Sequence, residues 1–417
     1  MTPTPAPDDT LAQLKAGKLQ GAKQLKLSAQ LTQFPAEIFD LADSLEILDL
    51  SGNALTELPA DLNRLQKLRI LFCSNNQFTH LPEVLGQCEN LSMIGFKANQ
   101  IKHIPEAAIP THTLRWFIVT DNVLTKVPHA LGECSKLQKL MLAGNQLSSL
   151  PASLANCHAL ELLRISANQF ETLPEFLFDL PKLTWLAYAG NPFCNAIEQA
   201  LISQHHIPHI DWQTLTLQQV LGEGASGVTY QAVMQNKNVQ ESVAVKLFKS
   251  GLTSDGLPRC EMHANMLAGE HPNLVGVKGV IHNHPQGVDG LVMPLLDADI
   301  KVLAKPPSYE SCTRDVYADD LTLTAQQAEF ILKGITQAAE HLHAHGLMHG
   351  DLYAHNILWG PEKVVLSDLG GASFLPVDNP ALTQKILKLE ARALAVLAEE
   401  LVAVVSGRGE LNTCLAN

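Results

Sequence analysis

Gly222-Glu223-Gly224-Ala225-Ser226-Gly227 is a turn whose bare backbone can wrap phosphate oxygens with N–H donors. Val243-Ala244-Val245-Lys246 ends an apolar run on a cation, and Glu261 follows fifteen residues later. His349-Gly350-Asp351 sets a carboxylate five residues before Asn356, and Asp368-Leu369-Gly370 closes the series. Glycine turn, cation, acid, proton-accepting carboxylate, amide and second carboxylate, in that order, are the parts needed to move a phosphoryl group from ATP to a hydroxyl.

Local structure must bring these residues together. Leu217 to Leu221 reads as a strand entering the glycine turn, with Val228 to Val233 returning. A dinucleotide-binding turn carries similar glycines, but a helix follows them there. β-Branched Val228, Thr229 and Val233 favour a hairpin. Lys246 ends a strand, Glu261 sits in a helix, and Leu291 to Met293 is a strand leading into Pro294-Leu295-Leu296.

With His271-Pro272-Asn273-Leu274-Val275, these motifs resemble the protein kinase family over residues 212–405. The resemblance implies an α+β bilobal domain that uses ATP and Mg2+. Leu221, Gly222, Glu223, Gly224, Ala225, Ser226, Gly227, Val228 and Thr229 would cover the nucleotide, with Ala244, Met293 and Leu296 around its base. Lys246 would hold the α- and β-phosphates, paired with Glu261. Asp351 would accept or orient the substrate hydroxyl proton, and Asn356 and Asp368 would hold Mg2+. Pro294 lacks an N–H, but that hinge position offers only its carbonyl.

Several positions depart from the family pattern. Gly350 replaces the arginine of H-R-D, which in many kinases reads a phosphorylated activation loop. Tyr353 and His355 stand where a lysine or an arginine is usual, so the γ-phosphate loses a fixed charge unless His355 supplies it. Leu369 replaces the phenylalanine of D-F-G, and no A-P-E follows. Glu390 to Leu401 matches a large-lobe helix with Glu390 in place of aspartate, and the reduced stretch after it predicts a smaller large lobe. Three functions follow: an active protein kinase, serine/threonine ahead of tyrosine; a pseudokinase scaffold; and a small-molecule phosphotransferase, since H-G-D-L-x-x-x-N is also similar to aminoglycoside and choline kinases.

The first half repeats every 23 residues. Leu45, Leu68, Leu91, Leu114, Leu137, Leu160 and Leu183 mark one phase, and Asn53, Asn76, Asn99, Asn122, Asn145, Asn168 and Asn191 another. The unit LxxLxLxxN followed by LxxLP resembles the leucine-rich repeat family over residues 22–193, with an eighth, degenerate copy around Leu25, Leu27 and Gln30. That implies a curved α/β solenoid with one parallel strand per repeat. Its outward positions, Ile47, Ile70, Met93, Trp116, Lys139, Leu162 and Trp185, with Asp49, Phe72, Gly95, Ile118, Met141, Arg164 and Ala187 beside them, predict an apolar concave face. Such a face suits a protein substrate or partner, or a second copy of the chain.

The fold class is therefore multidomain: a lead-in over 1–21, repeats over 22–193, a capping helix with linker over 194–211, and a kinase-like domain over 212–417. Ile197, Ala200 and Leu201 set the helical spacing of the cap; His205, His206 and His209 lack the further ligands of a metal site. Hydrophobic content of 46% and charged content of 17% describe a globular chain, and net charge −13 argues against nucleic acid. No apolar run is long enough for a membrane span, and Thr2 to Thr10 lacks the features of a secretory signal. Of eight cysteines, Cys88, Cys134 and Cys157 share one repeat phase with Leu65, Thr111 and Leu180, as packing residues do. Free thiols and a cytoplasmic location are expected.

Overall fold

The computed structural model describes residues 7–203, 208–224, 226–236, 239–249 and 251–405. The chain forms two compact units, Met1–Leu183 and Thr184–Asn417. The division falls inside the last 23-residue repeat, so its strand belongs to the second unit. Ala225, His205 and His206 lie outside the described residues.

In the first unit, helix α1 (Pro7–Lys15) precedes strands β1 (Gln24–Lys26), β2 (Ile47–Asp49), β3 (Ile70–Phe72), β4 (Met93–Gly95), β5 (Trp116–Ile118), β6 (Lys139–Met141) and β7 (Leu162–Arg164). They pair in parallel without slippage, Ile47 facing Ile70, then Met93, Trp116, Lys139 and Leu162. Middle residues such as Leu48, Leu71, Phe117 and Leu140 are fully buried. The repeat asparagines close each bend. Asn145 Nδ2 donates to the carbonyls of Val119 and Leu142, both at 2.9 Å, and its Oδ1 accepts from Leu124 N at 3.0 Å. The residue before each of these asparagines turns left-handed, at Gly52, Asn75, Ala98, Asp121, Gly144 and Ala167. In the degenerate first copy, Gln30 itself takes that conformation.

Cys88, Cys134 and Cys157 are free and buried, and burial pushes their thiols up to about 11, 12 and 11. They are packing residues, not nucleophiles. The outward rows correct the expectation of an open apolar face. Met93, Lys139, Leu162, Met141 and Arg164 are buried. Lys139 Nζ lies 4.6 Å from the centre of the Trp116 ring, and Trp116 Nε1 donates to Met141 Sδ at 3.3 Å. Long side chains on neighbouring strands cover one another. Ile47, Asp49 and Phe72, toward the first repeats, stay half-buried.

The second unit opens with β8 (Trp185–Ala187), α2 (Pro192–Ser203) and β9 (His209–Asp211). Strands β10 (Leu215–Glu223), β11 (Gly227–Asn236), β12 (Val239–Phe248), β13 (Gly279–His282) and β14 (Gly290–Pro294) form a sheet in the order β10-β11-β12-β14-β13-β9. All pairs are antiparallel except β9 with β13. Its core is Ala232, Val243, Val245 and Val292, alternate inward residues of three strands, with Trp212 and Leu217 packed on them. Helix α3 (Pro258–Ala268) follows β12.

Beyond the sheet come β15 (Lys301–Val302), α4 (Ala325–Ala344), β16 (Leu347–Met348), β17 (Ile357–Trp359), β18 (Val364–Leu366), β19 (Ser373–Phe374) and α5 (Pro380–Val405). Helix α4 starts on a reciprocal cap between Thr324 and Gln327 and buries Ile331, Ile335, Ala338 and Leu342, one apolar stripe. Helix α5 begins ten residues before Glu390, where the motif comparison placed it. Asn379 Oδ1 accepts from Leu382 N at 3.1 Å and Pro380 fills the first turn, a start signal that the motif did not include. Among the described residues no helix is long and apolar enough to cross a membrane.

Candidate active site

Antiparallel register places Thr229, Lys246 and Leu291 side by side across β11, β12 and β14. Lys246 Nζ is ion-paired with Glu261 Oε1 on α3, whose side chain is 2% exposed. The pair is therefore a fixed feature rather than a surface bridge. Burial pushes the Glu261 carboxyl up, the Lys246 charge and hydrogen bonds from Lys246 and Ser226 oppose this, and Asp368 adds to it; the net direction is upward. Gly224 N donates to Gly227 O at 2.9 Å, closing the turn between β10 and β11. A Cβ on Gly227 would sit 2.4 Å from Leu247 O, so only glycine lets β11 leave the turn against β12.

Below the sheet, a network orders residues 349–356. Buried His349 donates from Nε2 to Ser367 O at 3.0 Å and accepts from Asp351 N at Nδ1, 3.2 Å. Asn356 Nδ2 donates to Asp351 O at 2.8 Å and to its Oδ2 at 3.0 Å. Ser367 ties this loop to Asp368, since its N–H and Oγ both donate to Asn356 O at 2.8 Å. Asp368 is left-handed (φ +56°), and its Oδ1 accepts from Gly370 N at 3.1 Å. A non-glycine residue held there carries backbone strain of the kind found at functional sites.

Three groups remote in sequence complete the loop. Glu390 on α5 is 2% exposed; its Oε1 accepts from Gly350 N at 3.0 Å and its Oε2 bonds His343 Nε2. Asp315 accepts from His355 N at 2.9 Å and holds His355 Nδ1 at 2.7 Å. Burial lowers the His355 pKa, but the Asp315 hydrogen bond and the fields of Asp315, Asp351 and Asp368 outweigh it, so the imidazole is raised above its ordinary value. Gly350 has φ +71°, and a Cβ there would lie 2.4 Å from Gly371 O and 2.8 Å from Leu186 O. No arginine fits where H-R-D would put one.

Leu221, Gly222, Glu223, Gly224, Ser226, Gly227, Thr229, Ala244, Lys246, Glu261, Met293, Leu296 and Asp368 line one cleft of about 600 Å3. Val228 does not line it; alternation along β11 turns it away while its neighbours Gly227 and Thr229 face in. Asp351, His355 and Asn356 are off the lining, joined to it through Ser367 and Asp368. The cleft also includes Asn265, Ala268, Asp297, Ile300 and Leu358. Leu358, two residues beyond Asn356 on β17, could have been found by strand alternation; Asp315 carries no local signal.

Family models match both parts of the chain. The model "Protein kinase domain" matches residues 215–390. "Leucine Rich repeats (2 copies)" matches 43–103, and "Leucine rich repeat" matches 112–170 and 135–193. A serine/threonine-protein kinase of Drosophila melanogaster, PITSLRE, is 27% identical over 151 residues, 36% of this chain and 15% of that protein. A leucine-rich-repeat protein of Leptospira interrogans is similar at 26% identity and TM-score 0.36, covering 42% of this chain and 51% of that one. The plant peptide hormone receptor RGFR1, in complex with RGF2, gives 26% and 0.37 over 43% and 30%. The match thus spans less than two thirds of each of these proteins. This chain is a fusion of leucine-rich repeats, residues 43–193, with a protein kinase domain, residues 215–390.

Proposed function

We propose that the chain is an active protein kinase that transfers the γ-phosphate of ATP, with Mg2+, to a protein hydroxyl, serine or threonine ahead of tyrosine. The observation that carries this is the sharing of one cleft by Lys246, Glu261 and Asp368, with Asp351 fixed beside it through Asn356 and Ser367. The residues present fit the cofactors. Leu221, Ala244, Met293, Leu296 and Leu358 give a flat base apolar walls, and Asp368 with the Asn356 amide oxygen are hard donors suited to Mg2+. When bound, ATP supplies the phosphoryl group and Mg2+ neutralises charge on the phosphates.

Each residue then has a task. Lys246, oriented by Glu261, binds the α- and β-phosphate oxygens. The turn between β10 and β11, with Gly222, Gly224 and Gly227, covers the phosphates. Asp351 orients the attacking hydroxyl and takes its proton on the carboxylate, which Asn356 holds through Oδ2. His355, whose protonated form Asp315 favours, is the group placed to supply the positive charge that Tyr353 does not. The likeness to a serine/threonine kinase supports the preferred acceptor.

The repeats would recruit a protein partner or substrate through their concave side, where Ile47, Asp49 and Phe72 are half-buried; a second copy of the chain is the alternative occupant. A cytoplasmic location accords with the buried, free cysteines.

A second reading, a pseudokinase scaffold, is favoured by buried Tyr353 in place of a lysine. Incubation of the full chain with ATP, Mg2+ and a generic protein substrate separates the two. Phosphate transfer abolished by Asp351→Asn supports the kinase, and nucleotide binding without transfer supports the scaffold. Transfer only to small hydroxyl compounds would identify a small-molecule phosphotransferase instead.

A further inference from the structure

We propose that residues 184–203, strand β8 and helix α2, form an internal brace that sets the catalytic loop and helix α3 in their working positions, with Trp185 and Glu198 as positioning residues for phosphoryl transfer. The proposal rests on the kinase reading above.

Trp185 is 1% exposed and stacks on Tyr353, ring centres 4.1 Å apart and planes 12° from parallel. Its Nε1 donates to Leu352 O at 2.9 Å, and the Arg314 guanidinium lies 5.3 Å from its ring centre. Leu352 and Tyr353 are the two residues after Asp351, so one indole fixes the backbone that leaves the proposed proton acceptor. The next residue of β8 lies close against the backbone that enters it. Leu186 O occupies the space where a side chain on residue 350 would begin, and a glycine there is what lets the strand approach.

The residue after this strand reaches the segment after Asp368. Tyr188 N donates to Ser373 Oγ at 2.9 Å, and Tyr188 Oη donates to Phe374 O at 3.1 Å. Burial drives the Tyr188 pKa well above its ordinary value, so the phenol stays a donor. Helix α2 then holds α3. Glu198, 3% exposed, bonds His263 Nδ1 at 2.6 Å and accepts from Cys260 Sγ at 3.7 Å. Cys260 and His263 flank Glu261, the acid that α3 delivers to Lys246.

One continuous segment thus touches the catalytic loop, the stretch after Asp368 and the helix bearing Glu261. These are elements whose placement decides whether a phosphoryl-transfer site is assembled. With glycine at 350 there is no guanidinium for a phosphorylated loop to order, and Gly371 and β8 together fill that space. The brace therefore sets the active arrangement without a modified loop.

The test uses the full-length chain and its Trp185→Ala, Trp185→Phe and Glu198→Gln variants. It measures kcat and KM for ATP, together with hydrogen–deuterium exchange of the nucleotide-free protein. Trp185→Ala should lower kcat by at least about tenfold while KM for ATP changes less than about threefold. Amides of residues 350–356 should exchange at least about tenfold faster, with β12 unchanged. Trp185→Phe, which keeps a ring but loses the N–H, should fall between. Glu198→Gln should speed exchange in residues 258–268 and raise KM for ATP. If Trp185→Ala does not fold, the other two variants carry the same comparison. Wild-type kcat and wild-type exchange in both segments would overturn the brace. A wild-type chain that transfers no phosphate defeats the kinase reading separately, and the exchange data still decide the brace.

Discussion

Lys246 takes its partner from fifteen residues along the chain, whereas residues 350–356 take theirs from Asp315, Glu390 and Trp185. The two halves of the site solve the same problem differently. On the sheet side, strand register and one helix bring a lysine to a carboxylate. On the loop side the family pattern has lost its arginine and its usual cation, and distant groups occupy the vacated roles. Glu390 accepts from the Gly350 amide, and Asp315 bonds the His355 ring and raises its pKa. A catalytic loop can change its own residues when the surrounding fold supplies equivalent charges and hydrogen bonds.

Breaking either half at its centre should have the largest effect. Lys246→Ala and Asp351→Asn should each lower kcat/KM by about 10²- to 10⁴-fold, read by phosphate incorporation. Next comes Asp315→Asn. The raised His355 pKa means that the imidazolium persists to higher pH than that of an ordinary histidine and is lost as pH rises through the folded value. Activity that depends on this charge should fall along an alkaline limb, and Asp315→Asn should move that limb to lower pH. A pH profile unmoved by the substitution would remove His355 from the mechanism.

Smaller effects test the anchoring groups. Glu390→Gln retains an acceptor for Gly350 N but loses the charge, and should cost about 1–3 kcal/mol in a denaturant titration. Glu400, bonded to Tyr317 Oη at 2.9 Å, is raised by burial and by Asp315 from 4.5 to about 7. The folded chain then holds more protons than the unfolded chain between those values, so stability falls as pH rises from 4.5 to 7. Glu400→Gln should remove that slope and add about 1–3 kcal/mol at pH 8.

The parts legible in the sequence are those that local rules dictate. A fixed period gave the parallel strands, because each repeat must present the same buried residue to the same neighbour. Gly222, Lys246, Glu261 and Asp368 could be placed because the strand–turn–strand and the helix carrying them are each written in a short stretch. Asp315, Glu198 and Trp185 were not legible as site residues. Their partners lie 40, 65 and 167 positions away, and no local pattern encodes such a meeting. The outward repeat positions misled for a related reason. Alternation tells which way Lys139 and Met141 point, but not that they pack beside Trp116. Glu390 was seen only as a substitution, and its bond to Gly350 N shows what its side chain does there.

The central claim is that Lys246 and Asp368 serve one bound nucleotide. Calorimetric titration of the full chain with Mg·ADP tests it most directly, repeated on Lys246→Ala and Asp368→Asn. One saturable site is predicted, weakened at least about tenfold by either substitution, with Asp368→Asn also removing its dependence on Mg2+. Unchanged affinity in both variants would contradict the account.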